Sequence, residues 1–318
     1  MITIPPIGLN AFLPLPWLSV RPVAAGGIAP TSRRFHMSGF GVRSSVAPLR
    51  RVAVRPPDPA SAFASAHWSQ PLDVELLSQQ HETFVDLLVS LNCEVVRLPA
   101  NSDLPDSCFT YDPVWMTARG GIALRAAKTV RAGEPPVLAA ELAAVGVPMY
   151  GRLTDNATAD GGDMFWLDDH TVAVGRSYRT NDAAVAQLRE LLAPEGVEVE
   201  TFDLPHDLGP EYCLHLMSVV SPVRADLAVV YERLAPVPLL RALAARGISW
   251  VSVSDADYAA LGCNVLAVSP GVVVMAEGNE QTAELLAARG VTVHTYPASE
   301  INKGEGGPTC LTRPIWRQ

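Results

Sequence analysis

The sequence predicts an α/β chain built as a closed ring of five pseudo-symmetric ββαβ units around a central funnel, in one domain from residue 42 to residue 318. Three observations carry that prediction. β-branched runs begin at residues 122, 171, 227 and 272, recurring about every 50 residues, which is the spacing of radial repeats. Each is preceded by a second β-rich run across a tight turn and followed by an Ala/Leu-rich helical pattern. Glycines 146, 196, 247 and 290 each stand between a helical pattern and a closing β-branched run, where a left-handed C-terminal cap belongs.

Taken in order, the first strands are predicted at Val114–Thr117, Met164–Leu167, Leu214–Ser218 and Val265–Val268. Their partners are Ile122–Arg125, Thr171–Val174, Leu227–Val230 and Val272–Met275, joined by turns such as Asp168-Asp169 and Pro270-Gly271. Helices follow at Glu134–Ala144, Asn181–Leu192, Val237–Ala245 and Glu280–Arg289, then closing strands at Val147–Tyr150, Val197–Glu200, Ile248–Val251 and Val291–His294. The two ends of the chain share the fifth unit. Cys310–Ile315 supplies its first strand, Arg51–Val54 the second, Leu72–Leu91 the helix and Cys93–Val96 the closing strand. A unit divided between the ends makes the ring one domain and not two in tandem.

The N-terminal stretch stands apart. Residues 1–36 are rich in Pro and Gly, carry Trp17 without helical period, and lack a basic segment followed by a clean apolar one, so they make a poor signal peptide. A disordered extension over residues 1–41 is expected, with Met37 as the natural start. No run approaches the roughly 18 apolar residues of a membrane span. Five scattered cysteines, odd in number and in no C-x-x-C pair, argue against a disulfide framework and favour a reducing, cytoplasmic setting. A formal net charge of −9 gives no basic footprint for nucleic acid, which leaves a small-molecule partner.

Rotational symmetry converts the repeat into a site prediction. At or just before the first strand of successive units stand Asp112, Asp160 with Asp163, His215, Asn264 and Cys310. Carboxylates, an imidazole, an amide and a thiol are therefore expected to meet in the funnel. Singly, each has an ordinary explanation: a buried thiol, a core histidine, an Asp/Gly turn. Agreement in register across the units is what argues for a site. By ligand type, Cys310, His215 and Asp160 also suit a metal, although a thiol, imidazole and carboxylate equally describe nucleophilic catalysis, for which no metal or organic cofactor is needed.

Several segments extend the pattern: Asp106-Ser107-Cys108-Phe109-Thr110-Tyr111-Asp112-Pro113, Arg131-Ala132-Gly133-Glu134, Asp160-Gly161-Gly162-Asp163, Ser177-Tyr178-Arg179-Thr180-Asn181, Leu214-His215-Leu216 and Gly306-Gly307-Pro308-Thr309-Cys310. In their order and spacing, over residues 46–318, the chain resembles the guanidine-modifying enzymes of the pentein (α/β propeller) fold: dimethylarginine dimethylaminohydrolases, arginine deiminases and amidinotransferases. The resemblance implies that Cys310 is the nucleophile, His215 the general acid/base and Asp160 the acidic residue of the acidic-Gly-Gly-Asp motif. It implies that Asp106 and Asp112 bind the guanidinium and amine, and that Arg131 and Arg179 clamp the substrate α-carboxylate; Asp163 and Asn264 are added to the substrate-binding set from their register. Tyr111 departs from the acidic or basic residue often found at its place, and Met217 from the polar residue common after the His-Leu pair.

The chemistry suits these residue types. A guanidinium is a resonance-stabilised cation whose carbon is a poor electrophile until carboxylates hold it in front of a thiolate. The implied reaction hydrolyses arginine or N-methylated arginine to citrulline and an amine or ammonia, dimethylargininase being favoured. Arginine deiminase, arginine dihydrolase and amidinotransferase are the alternatives within the class, and a non-catalytic pentein such as a ribosome anti-association factor the alternative outside it. The family is compatible with a homodimer. Residues Pro56–Ala66, rich in small side chains, are expected to form a lid.

Overall fold

The structure, a computed structural model, describes residues 39–318. The expected extension and the start at Met37 lie outside the described residues as far as residue 38. Gly41, assigned to that extension, is instead paired: its amide donates to Ile315 O at 2.8 Å and its carbonyl accepts from Arg317 N at 3.0 Å.

The described chain opens with strand β1 (Leu49–Val54), helix α1 (Val74–Ser90) and strand β2 (Glu94–Arg97). A complete unit follows in β3 (Val114–Thr117), β4 (Gly120–Ala123), α2 (Glu134–Ala144) and β5 (Met149–Arg152). The next is β6 (Met164–Trp166), β7 (Thr171–Arg176), α3 (Asp182–Leu192) and β8 (Glu198–Asp203). Then come α4 (Leu216–Val219), β9 (Val220–Arg224), β10 (Leu227–Val230), α5 (Val237–Ala245) and β11 (Ser249–Ser252). The last full unit is α6 (Asp255–Ala259), β12 (Leu266–Ser269), β13 (Val272–Ala276), α7 (Glu280–Ala287) and β14 (Thr292–Tyr296), and β15 (Arg313–Arg317) returns to β1.

Five three-stranded sheets result, each with the second strand in the middle. The first strand pairs antiparallel with it across a hairpin, as Val114 opposite Ala123 and Thr117 opposite Gly120; the third pairs parallel after the helical crossover, as Val272 beside Thr292 and Ala276 beside Tyr296. In the split unit β15 is antiparallel to β1 and β2 parallel to it, closing the ring. Burial explains the radial order. β3 and β6 are buried at every position, whereas β2 and β5 are half-exposed, so first strands lie inward and third strands at the rim. Neighbouring units meet through inner strands, β9 against β12 and β15 against β3.

Local chemistry sets the boundaries. Asp73 and Asn181 cap α1 and α3 by accepting from Leu76 N and Ala184 N, both at 2.9 Å. The four predicted glycines all have positive φ, between 66° and 90°, which relieves the Cβ clash that other residues meet there. Among the described residues no helix is long and apolar enough to cross a membrane.

Two first strands differ from expectation. Leu214–Ser218 is not a strand: His215 precedes the single turn α4, and the first strand is Val220–Arg224. The turn forms because Ser218 Oγ accepts His215 N at 3.0 Å and Asp163 Oδ1 accepts Leu216 N at 2.9 Å, satisfying donors that a strand would have spent on its ladder. Likewise β15 starts at Arg313, and Cys310 lies in the turn before it, where Leu311 N donates to Gly307 O. The symmetry survives both corrections, since Asp160 also precedes one short helical turn, Gly161–Asp163, that leads into β6.

Candidate active site

The turns that lead into the first strands converge on a cavity of about 290 Å³. Eight of the nine expected site residues line it: Asp106, Asp112, Arg131, Asp160, Arg179, His215, Asn264 and Cys310. Asp163 does not. Fully buried, it accepts from Ser177 Oγ at 2.6 Å and Leu216 N at 2.9 Å, and burial pushes its carboxyl up to about 6. The expectation that it binds substrate is corrected: it positions the turn that carries His215, and its hydrogen bonds leave it no face toward the cavity.

Cys310 is held by its neighbour unit. Asn264 Nδ2 donates to the sulfur at 3.0 Å, while Asn264 Oδ1 accepts Thr309 N at 3.1 Å, which fixes the amide's orientation. Asn264 therefore serves the nucleophile. Burial, aided by Asp112, pushes the Cys310 thiol up to about 11 despite the Asn264 donor, so the resting group is a thiol.

His215 Nε2 lies 3.2 Å from Asp160 Oδ2. Burial works against its charged form, but the Cys213 sulfur, the Asp112 carboxylate and the Asp160 hydrogen bond outweigh it, holding the imidazolium well above the ordinary histidine range. Cys213 Sγ stands 3.5 Å from His215 Nδ1 and lines the same cavity. Sequence reasoning missed it, because nothing in its apolar context marks it except its place two residues before the histidine. Gly162 is required here: a Cβ on it would come within 2.2 Å of His215 Nδ1.

The carboxylates and arginines sort differently from expectation. Asp112 accepts from Arg131 Nη1 at 2.6 Å and Gly162 N at 2.8 Å; burial opposes its ionisation, but Arg131 and His215 bring its carboxyl below the ordinary value. Arg131 also donates to both oxygens of Glu134 and to Phe109 O. The expectation that it clamps a substrate carboxylate is corrected, because its charge is already neutralised by Asp112 and Glu134. Asp106 accepts from Trp68 Nε1 and Lys128 Nζ, each at 2.8 Å. Arg179, in contrast, is 8% exposed and its Nε has no hydrogen-bond partner, nor is the side chain in an ion pair among the described residues. A buried, unpaired guanidinium facing a cavity is a receptor for an anionic group.

Two loops frame the mouth. Ala66 ends the segment expected as a lid and His67 follows it, while Asp207, Leu208, Glu211 and Tyr212 come from residues 204–212, which sequence reasoning did not single out. They approach each other where His67 Nδ1 lies 3.9 Å from Glu211 Oε2. Glu305, in left-handed conformation just before the catalytic turn, accepts Cys213 N at 3.3 Å and ties the second loop to that turn.

Comparison with known proteins bears on the family and the fold. Residues 241–317 match the family model described as arginine deiminase. The chain is 30% identical over 246 residues to "Uncharacterized protein YkgA" of Bacillus subtilis, covering 77% of this chain and 82% of that one. It is 28% identical over 267 residues to the N(G),N(G)-dimethylarginine dimethylaminohydrolase of Streptomyces coelicolor, covering 83% and 96%. Its fold is that of the dimethylarginine dimethylaminohydrolase from Pseudomonas aeruginosa, solved as a Cys-to-Ser mutant complexed with citrulline: TM-score 0.72 and 21% identity over 83% of this chain and 98% of that one. With its five-unit ring, its thiol, imidazole and carboxylate in one funnel and these relatives, the chain belongs to the pentein family of guanidine-modifying enzymes.

Proposed function

We propose that the protein hydrolyses the guanidino group of N-methylated arginine, giving citrulline and dimethylamine through a covalent thiouronium on Cys310. The observation that carries this reading is one cavity in which a thiol supported by Asn264, an imidazolium paired with Asp160, and an unpaired Arg179 face the same space.

Arg179 receives the substrate α-carboxylate, and Asp160 with Asp112 draws the guanidinium to the floor. The arriving cation favours ionisation of the Cys310 thiol, which burial otherwise opposes, and the proton passes to solvent because His215 already carries one. The thiolate attacks the guanidinium carbon, and His215, resting as imidazolium, gives its proton to the departing nitrogen as the carbon–nitrogen bond breaks. Neutral His215 then takes a proton from water, whose oxygen adds to the thiouronium carbon. Collapse breaks the carbon–sulfur bond and returns the thiolate, and the second proton of water passes to solvent, where the amine released earlier takes one up. The apolar wall that Met217, Tyr111 and Leu208 give the cavity favours a methylated leaving group over the unsubstituted guanidino nitrogen of arginine. Two free thiols in one cavity, Cys213 and Cys310, suit a reducing cytoplasm.

The test incubates the protein with arginine and with asymmetric dimethylarginine, measures ureido product, and traps the adduct by acid quench, with Cys310→Ser as control. Turnover of dimethylarginine with an adduct on Cys310 is expected. Turnover of arginine alone would keep the mechanism and replace the substrate. An amine requirement for turnover would make it an amidinotransferase, and no adduct with either compound would sink the hydrolase reading.

A further inference from the structure

A second, much smaller cavity of about 20 Å³ sits behind the catalytic one and shares Tyr111, Met217 and Thr309 with it as a common wall. Its other lining is unusual in charge. Arg313 and Arg317, 2% and 8% exposed, both border it, and no carboxylate does. Among the described residues neither arginine is in an ion pair: Arg313 Nη1 donates to the carbonyls of Tyr111 and Val114 at 2.9 and 2.7 Å, and Arg317 to those of Ala47 and Ala267 at 2.7 and 2.8 Å. Two buried guanidinium charges without an ion-pair partner among the described residues are costly, and burial, together with the charge of Arg313 beside it, pulls Arg317 down to about 10.

The buried side-chain atoms of the lining that lack a hydrogen-bond partner are all donors. Arg313 Nε, Trp115 Nε1 and Trp166 Nε1 are buried without a hydrogen-bond partner, on side chains 2%, 1% and 3% exposed. The two indoles stack at 6.0 Å between centroids, and the Arg313 guanidinium lies 5.7 Å from the Trp115 ring, so the three groups are adjacent. Ser45 Oγ, also in the lining, already accepts Trp166 N at 2.9 Å and keeps its hydroxyl proton to give. A water molecule has two lone pairs and needs acceptors for its own hydrogens, whereas the unpartnered side-chain atoms here are N–H groups beside two guanidinium charges, which suit an anion better.

We propose that this cavity is a binding site for a small monovalent anion of the halide class, chloride being the natural occupant. The volume admits one monatomic species and excludes phosphate, sulfate or a carboxylic acid. An anion here neutralises the arginine pair and satisfies the orphaned N–H groups. It also steadies the catalytic floor, because Arg313 holds the carbonyls of Tyr111 and Val114 on either side of Asp112, and Tyr111 N in turn donates to Cys310 O at 3.1 Å.

The experiment follows thermal unfolding of the full chain in sodium chloride, sodium bromide and sodium gluconate at one ionic strength, alongside crystals soaked in bromide. Chloride and bromide are expected to raise the midpoint saturably over gluconate, by about 3 °C at saturation. Bromide is expected to give an anomalous peak between Arg313, Trp115 and Trp166. Trp166→Phe, which removes one donor and keeps an aromatic ring, is expected to weaken the apparent halide affinity at least about fivefold through loss of one charge-assisted hydrogen bond. A midpoint indifferent to the anion, a bromide map with no peak in this cavity, or a halide effect unchanged in Trp166→Phe would each overturn the proposal.

Discussion

Asn264 Nδ2 lies 3.0 Å from the Cys310 sulfur, and the same amide receives Thr309 N on its oxygen at 3.1 Å, so one side chain both fixes the catalytic turn and solvates the nucleophile. A hydrogen bond to a charged group contributes about 1.5–3 kcal/mol. Asn264→Ala is therefore expected to lower kcat about 10- to 100-fold with little change in KM. The thiol of the variant should ionise at still higher pH than the native one. The pH dependence of Cys310 alkylation by iodoacetamide, with and without a guanidinium ligand, checks the second statement; an unchanged profile would remove Asn264 from this role.

Cys213 acts through His215. The imidazolium must carry a proton when the amine leaves, and the Cys213 sulfur at 3.5 Å helps to hold that proton on. Cys213→Ala is expected to shift the descending, alkaline limb of the kcat–pH profile to lower pH while leaving kcat near native on the acid side of it. Superimposable profiles would show the thiol to be a bystander.

The two arginines of the cavity should respond in opposite ways. Arg179→Ala removes an unpaired buried cation, so stability should hold or rise while KM for the amino-acid substrate rises about 10- to 100-fold. Arg131→Ala leaves Glu134 and Asp112 buried without their partner, and breaking such a cluster costs about 3–5 kcal/mol. Urea unfolding alongside steady-state kinetics separates the two cases.

Acid stability is set partly by a residue far from the chemistry. His81, 1% exposed with neither ring nitrogen hydrogen-bonded, is pulled by burial from 6.5 to about 4. Between those values the unfolded chain binds more protons than the folded one, so this contribution to stability is full above pH 6.5 and is lost as pH falls through 4. The loss amounts to about 3 kcal/mol. Denaturant midpoints of the native protein and His81→Leu, compared at pH 7.5 and pH 4.5, should show a gap that shrinks or reverses at the lower pH.

The ring was legible because hairpin, helix and glycine cap recur in the same order, and the thiol, imidazole and carboxylate because they recur at the same place within it. What stayed hidden was decided by partners remote from the residue concerned. Leu214–Ser218 alternates like a strand, and the Asp163 carboxylate, brought to Leu216 N from another unit, joins the local Ser218 cap in making it a helical turn. Arg131 and Arg179 look alike in sequence; Asp112 and Glu134 neutralise the first, while nothing among the described residues does so for the second. Glu134, three residues on from Arg131, was the available sign of that pairing. The pocket around Arg313 had none, because its indoles arrive from β3 and β6, two different sheets.

Ring closure has a kinetic meaning. The β15–β1 pairing joins segments roughly 260 residues apart, the longest loop closed by any strand pair among the described residues and the one whose closure loses the most chain entropy. The turn bearing Cys310 leads directly into β15, so the sulfur reaches Asn264 and the funnel only when that last strand docks. During refolding, sheets and helices will accumulate ahead of any turnover, and catalysis will return in the slowest step. The reaction is thus a reporter of the seam: a molecule that has folded four units and left the fifth open is spectroscopically almost native and chemically inert.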